Sequence, residues 1–174
     1  LYGTPCFIYD NIRFTDAYFV ARDLSCLIGA HHTTIGTGFG YLHEFPGFHI
    51  LVSQICIVIN VDPMIFGKYY PILLLSFMSV FVYVISSKFS DKYSIIPPLV
   101  LLGLCWTQEY HLAPQSFGLL IYILLWVLLL DSFIPDKFNS PKLYLSLIVI
   151  VTLVVCHPAS PMFFILNGFV ILFA

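Results

Sequence analysis

The chain has 174 residues; 60% are hydrophobic, 17% aromatic and only 9% charged, with a mean hydropathy of +0.96 and a formal net charge of -2. A soluble domain is about one quarter charged, so the composition excludes an ordinary water-soluble domain and predicts an all-α fold, a polytopic transmembrane helical bundle. No basic cluster is present to neutralise a phosphate backbone, which excludes nucleic acid as a partner.

Residues 1–46 are the most polar part and carry Asp10, Arg13, Asp16, Arg22, Asp23, His31, His32, His43 and Glu44. Apolar residues at helical spacing (Phe14, Ala17, Tyr18, Ala21, Leu24, Cys26, Leu27) predict an amphipathic helix from Arg13 to Ile28, with Thr15 or Asn11 as its cap. The glycines of Gly36-Thr-Gly-Phe-Gly40 break regular structure, so Gly29 to Glu44 is expected to be a loop.

Six apolar runs come next: Phe48 to Val61, Tyr70 to Ser87, Ser94 to Trp106, Phe117 to Asp131, Leu143 to Cys156 and Met162 to Ala174. Crossing ~30 Å of hydrocarbon takes ~20 helical residues at 1.5 Å each, a length only the second run reaches comfortably. The others borrow flanking Trp, Tyr and Pro residues, or tilt and thin the bilayer. Pro97-Pro98 should shorten or kink the third, because neither proline donates a backbone hydrogen bond.

Four of the seven basic residues, Lys88, Lys92, Lys137 and Lys142, fall in two alternate gaps between these runs. The intervening gap, Trp106 to Gln115, contains no Lys or Arg. Short Lys-rich loops stay in the cytoplasm, so the intervening gap is expected on the extracytoplasmic side. Phe48 to Val61 is short and carries His49, Ser53, Gln54 and Asn60, which suits a re-entrant or interfacial helix better than a span. Residues 1–69 are then extracytoplasmic, and 70–174 form a bundle of about five spans, the last truncated. The expected localisation is that of a multi-pass protein of the cell membrane. Both ends look cut, which reads as a fragment of a larger protein.

The five cysteines (Cys6, Cys26, Cys56, Cys105, Cys156) show no C-x-x-C spacing and read mostly as small buried hydrophobes. His31-His32 and His43-Glu44 form no H-E-x-x-H pattern, and His49 reads as an interfacial packing residue. No Walker pattern, G-x-S-x-G elbow or Gly-rich strand-to-helix turn occurs.

The acidic first segment, then Tyr41-Leu-His-Glu-Phe-Pro-Gly-Phe-His-Ile-Leu51, Lys68-Tyr-Tyr-Pro71 opening a long span, and the Pro114-Gln-Ser116 loop together resemble the N-terminal half of GT-C class membrane glycosyltransferases. The likeness is to archaeal-type polytopic enzymes related to protein mannosyltransferases and oligosaccharyltransferases, and it covers Tyr9 to Pro161. It implies transfer of a sugar from a polyprenyl-phosphate donor to a glycan or protein acceptor at the extracytoplasmic face, with a divalent cation, Mg or Mn, as the cofactor. The first-loop acid of such enzymes maps onto Asp10, beside Arg13, with Asp16 as runner-up. A carboxylate there suits a general base on the acceptor hydroxyl or a ligand to the cation. The family's adjacent acidic pair is absent, since Asp10 and Asp16 lie apart. Without the resemblance, Asp10 reads as flanking the first helix and Asp16 as solvated on its polar face.

In the Lys-free gap, Glu109, His111 and Gln115 accompany Trp106 and Tyr110. Sugar faces stack on aromatic rings and their hydroxyls need fixed polar partners, so this composition suits carbohydrate. The resemblance adds Glu109 to Asp10 as a metal ligand. The competing reading makes Trp106 and Tyr110 an interfacial belt and Gln115 a helix N-terminal residue. In the third gap, His157 could bind a phosphate or orient a carboxylate, or be structural. Two other classes stand beside the enzyme: a transporter, for which the spans hold few charges and no matching halves, and a noncatalytic membrane scaffold subunit.

Overall fold

The computed structural model of the chain describes residues 7, 10, 12, 14–30, 46–104, 111–130, 140–157, 161–162 and 165–166. Six helices succeed one another among them: α1 Thr15–Ala30, α2 Gly47–Ile59, α3 Pro63–Ser87, α4 Ile96–Leu104, α5 Pro114–Leu129 and α6 Ser140–Cys156. The fold is all-α, with no strand among the described residues.

The helix boundaries are set by local chemistry. The Phe14 carbonyl accepts the Tyr18 N–H at 3.1 Å, so α1 starts at Thr15 and not at Arg13, and Thr15 is a helical residue instead of the cap. Asn60 ends α2 in the left-handed region (φ 52°, ψ 48°), which Asn tolerates better than most side chains. The Val61 N–H then reaches back to the Cys56 carbonyl at 3.0 Å, closing the last turn. Two residues after Asn60, Asp62 takes the N-cap of α3, its Oδ1 accepting the Met64 N–H at 2.7 Å, and Pro63 fills the first turn where its missing N–H costs nothing. The long helix therefore begins at Pro63, a full two turns before the expected Tyr70. Lys68 to Pro71 lie inside it instead of opening it.

Pro71 withholds an N–H from the Gly67 carbonyl within α3, yet the helix continues to Ser87. At 25 residues it is the one described helix long and apolar enough to cross a membrane, while α2, α5 and α6 are shorter apolar helices. Pro97 and Pro98 sit in the first turn of α4, where their missing N–H groups cost no helical hydrogen bond, which accounts for their acceptance. Hydroxyls in these apolar helices turn back on their own backbone: Ser76 donates to the Ile72 carbonyl at 2.7 Å, Ser86 to Val82 at 2.6 Å, Ser146 to Lys142 at 2.8 Å and Thr152 to Ile148 at 2.9 Å. Each is satisfied without water or a neighbouring helix.

Packing joins the N-terminal part to the rest. Ala17, Ala21 and Leu24 of α1, Phe48, Val52 and Cys56 of α2, Tyr70, Leu74 and Met78 of α3, and Leu112 and Cys156 form one buried core. The small side chains of Ala17 and Ala21 let α1 lie close against both α2 and α3. Tyr18 and Cys26, expected on the buried stripe, are exposed; the stripe is narrower and runs Ala17, Ala21, Leu24, with Val20 and Ile28 at its margins. A second core holds Ile121 and Leu125 of α5 against Val149 and Leu153 of α6.

Three contacts set helix direction. The Tyr70 hydroxyl in α3 meets Ser116 in the first turn of α5, so both helices begin at the same end. Phe48, at the start of α2, rests its ring 5.6 Å from that of Phe117 in α5. A Cβ on Gly47 would stand 2.8 Å from Val155 Cγ1 and 3.1 Å from Cys156 Sγ, so α6 finishes where α5 begins.

Candidate functional site at one end of the bundle

The end defined by those contacts gathers chain segments that are far apart in sequence. Gly67 of α3 is the meeting point: an added Cβ there would lie 2.8 Å from Ile12 Cδ1 and 3.0 Å from Leu112 Cδ2. The approach of two other segments to this backbone position is possible because Gly67 carries no side chain. Beside it, the Phe14 ring lies 5.2 Å from the His111 imidazole, tying the N-terminal segment to the stretch that precedes α5.

A buried hydroxyl pair holds this junction. Ser116 is 1% exposed and its Oγ lies 2.6 Å from the His111 carbonyl, 2.9 Å from the Ala113 carbonyl and 3.3 Å from the Tyr70 hydroxyl. One hydroxyl has one proton, and carbonyls can only accept; Ser116 therefore donates to the His111 and Ala113 side, and Tyr70 donates to Ser116 Oγ. Tyr70 thereby fastens residues 111–116 to α3. Neither residue stands out in the sequence, where Tyr70 only opens an apolar run and Ser116 belongs to a loop. The local signal for Ser116 is Pro114 opening a helix two residues before it; nothing local pairs it with Tyr70, 46 residues away.

The expected site residues fall into three groups. His111, half-buried, and His157, one residue past α6, are at this end, and burial lowers the His157 imidazole below its ordinary range. Its backbone N–H donates to the Leu153 carbonyl at 3.0 Å. Asp16 sits exposed in the first turn of α1, where a carboxylate faces the positive end of the helix dipole. Asp10 and Gln115 are exposed as well, Gln115 within the first turn of α5 and not in a loop. Arg13, Trp106, Glu109 and Tyr110 lie outside the described residues. The convergence of Asp10 with Glu109 required by a shared metal is therefore not among the described contacts. Among the described residues, no three His, Cys, Asp or Glu side chains are grouped to hold a metal ion.

Asp23 reads in the sequence only as one charge of the polar segment, but it is the more enclosed acid of α1, its side chain 13% exposed. Burial pushes its carboxyl up, against the opposing pull of the Arg22 guanidinium, which donates to Oδ1 at 3.4 Å. Asp16 and Asp23 are two turns apart on one face of α1, about 10 Å along the axis.

His49, read from the sequence as an interfacial packing residue, is buried. It is 3% exposed, on the inner side of α2 with Ser53 a turn further on, and its Nδ1 has no hydrogen-bond partner. Burial lowers its pKa to about 4. Comparison of the chain with protein-family models, curated proteins and solved structures returns no match.

Proposed function

We propose that the chain is part of a multi-pass membrane protein that transfers a sugar from a polyprenyl-phosphate donor to an acceptor at the extracytoplasmic face. The observation that carries the membrane half of this reading is the outer surface of the helices. Leu73, Phe77 and Val80 on α3, Leu99 and Val100 on α4, and Leu147, Ile148, Val151 and Val154 on α6 are all exposed, each between 48% and 64%. In water such contiguous apolar faces are unstable against association, whereas hydrocarbon is their natural solvent.

Support for the catalytic half comes from the resemblance and from the end of the bundle where the acidic segment, residues 111–116 and His157 meet. In the proposed reaction Asp10 takes the proton of an acceptor hydroxyl, whose oxygen attacks the anomeric carbon; the bond from that carbon to the phosphate oxygen breaks, and polyprenyl phosphate leaves with the electron pair. Gln115 and His111 supply polar partners for the donor, with Trp106, Glu109, Tyr110, Arg13 and His157 completing the binding face and Asp16 as the second acid. A divalent cation, Mg or Mn, would be held by Asp10 and Glu109 and would neutralise charge on the departing phosphate. The polyprenyl tail stays against the exposed apolar helix faces while its phosphate reaches the polar end.

The test is transfer from a radiolabelled polyprenyl-phosphate sugar in membranes containing the protein. Asp10→Ala is expected to lower the rate at least 100-fold, the usual contribution of a positioned base. Unchanged transfer in Asp10→Ala and in Asp16→Ala would sink the assignment. Membranes that transfer no sugar at all, with the protein present and folded, favour a scaffold subunit.

A further inference from the structure

We infer that the turn joining α3 to α4 docks on anionic phospholipid headgroups of the cytoplasmic leaflet, an inference that rests on the membrane reading. Along α3, Lys68 and Lys88 bracket a stretch of about 30 Å at 1.5 Å per residue, the thickness of a bilayer's hydrocarbon. Lys88 and the turn after it therefore stand at headgroup level when α3 spans. The turn repeats a cation beside an aromatic ring: Lys88 next to Phe89, and Lys92 next to Tyr93, whose ring the Lys92 Nζ overlies at 5.2 Å.

Phe89 is 76% exposed and Tyr93 55%, and both lysines are exposed. The turn is nonetheless ordered by its own bonds, since the Phe89 and Ser90 N–H groups both donate to the Ser86 carbonyl at 3.1 Å, and the buried Ser94 hydroxyl donates to the Asp91 carbonyl at 3.1 Å. Rings held out at the headgroup boundary beside ammonium groups suit an apolar-to-anionic interface. Asp91, exposed between the lysines, opposes the attraction and reduces the net charge of the turn to one positive. Charge complementarity selects anionic over zwitterionic headgroups.

The test reconstitutes the chain into vesicles of phosphatidylcholine with and without phosphatidylglycerol, then measures by mass spectrometry which lipids remain bound after gentle detergent extraction. The wild-type protein is expected to retain phosphatidylglycerol in excess of its bulk share. Lys88→Gln with Lys92→Gln lowers that preference about 30-fold, at about 1 kcal/mol for each lysine near an anionic surface. Asp91→Asn raises it about fivefold, a change of the opposite sign that no loss of folding would produce. Equal retention of both lipids by wild type, or an unchanged preference in the double variant, overturns the docking surface while the membrane reading stands. A chain that fails to float with vesicles of either composition overturns both.

Discussion

His49 makes the stability of the protein depend on pH in a direction that can be worked out. It is 3% exposed, its Nδ1 has no partner, and burial holds its pKa at about 4, against 6.5 for a free imidazole. At 13 residues, about 20 Å, the α2 helix that carries it does not reach across a bilayer. The folded state binds the proton more weakly than the unfolded chain. The neutral form's stability is therefore fully present above pH 6.5 and is lost as the pH falls through 6.5 towards 4. At about 1.4 kcal/mol per pH unit the loss approaches 3 kcal/mol by pH 4. In His49→Leu no proton is taken up there and no buried nitrogen is left unbonded. Because an unsatisfied buried polar atom costs about 1–3 kcal/mol, the variant should be about 1 kcal/mol more stable at pH 8 and further ahead at pH 5. Thermal unfolding of the detergent-solubilised chain between pH 4 and 8 measures both. If His49→Leu loses stability on acidification as steeply as wild type, or is less stable at pH 8, the buried neutral imidazole is refuted.

Other consequences concern the joints of the fold. Gly47→Ala should destabilise by about 1–3 kcal/mol in the same unfolding assay, since the new Cβ meets the Val155 carbonyl oxygen at 3.1 Å as well as movable side chains, and backbone does not give way. Asp62→Ala removes the acceptor of the Met64 N–H and should cost about 1 kcal/mol; Asp62→Asn, which can still accept, should recover most of it. Ser116→Ala should cost more than Tyr70→Phe, because the first strands a buried phenol while the second leaves Ser116 bonded to the His111 carbonyl. The reverse order would show that the proton assignment between the two hydroxyls is wrong.

Some parts of the structure are legible in the sequence because local rules dictate them. The helical spacing of Ala17, Ala21 and Leu24, the place of Pro97-Pro98 at the start of a helix, and the length of the second apolar run as the one sufficient to cross a bilayer all depend on neighbours within a few residues. The start of α3 escapes a hydropathy reading for a reason also local: hydropathy marks where side chains turn apolar, whereas a helix begins where its free N–H groups find a cap, here Asp62. Tyr18 and Cys26 belong to the periodic stripe yet stay exposed, because periodicity marks a face without saying how much of it a partner covers.

Composition alone pointed to the helical class and set the apolar character of the chain, since few charges and long apolar runs offer a buried backbone few partners besides itself. Only the tertiary structure decided which side chains meet. Gly67 admits Ile12 and Leu112, Gly47 admits the end of α6, Tyr70 fastens to Ser116, and His49 loses its water. Those outcomes depend on segments separated by tens of residues arriving at one point, and the cost of burying a polar atom is set there, by the partners it finds or lacks, and not by its neighbours in the chain.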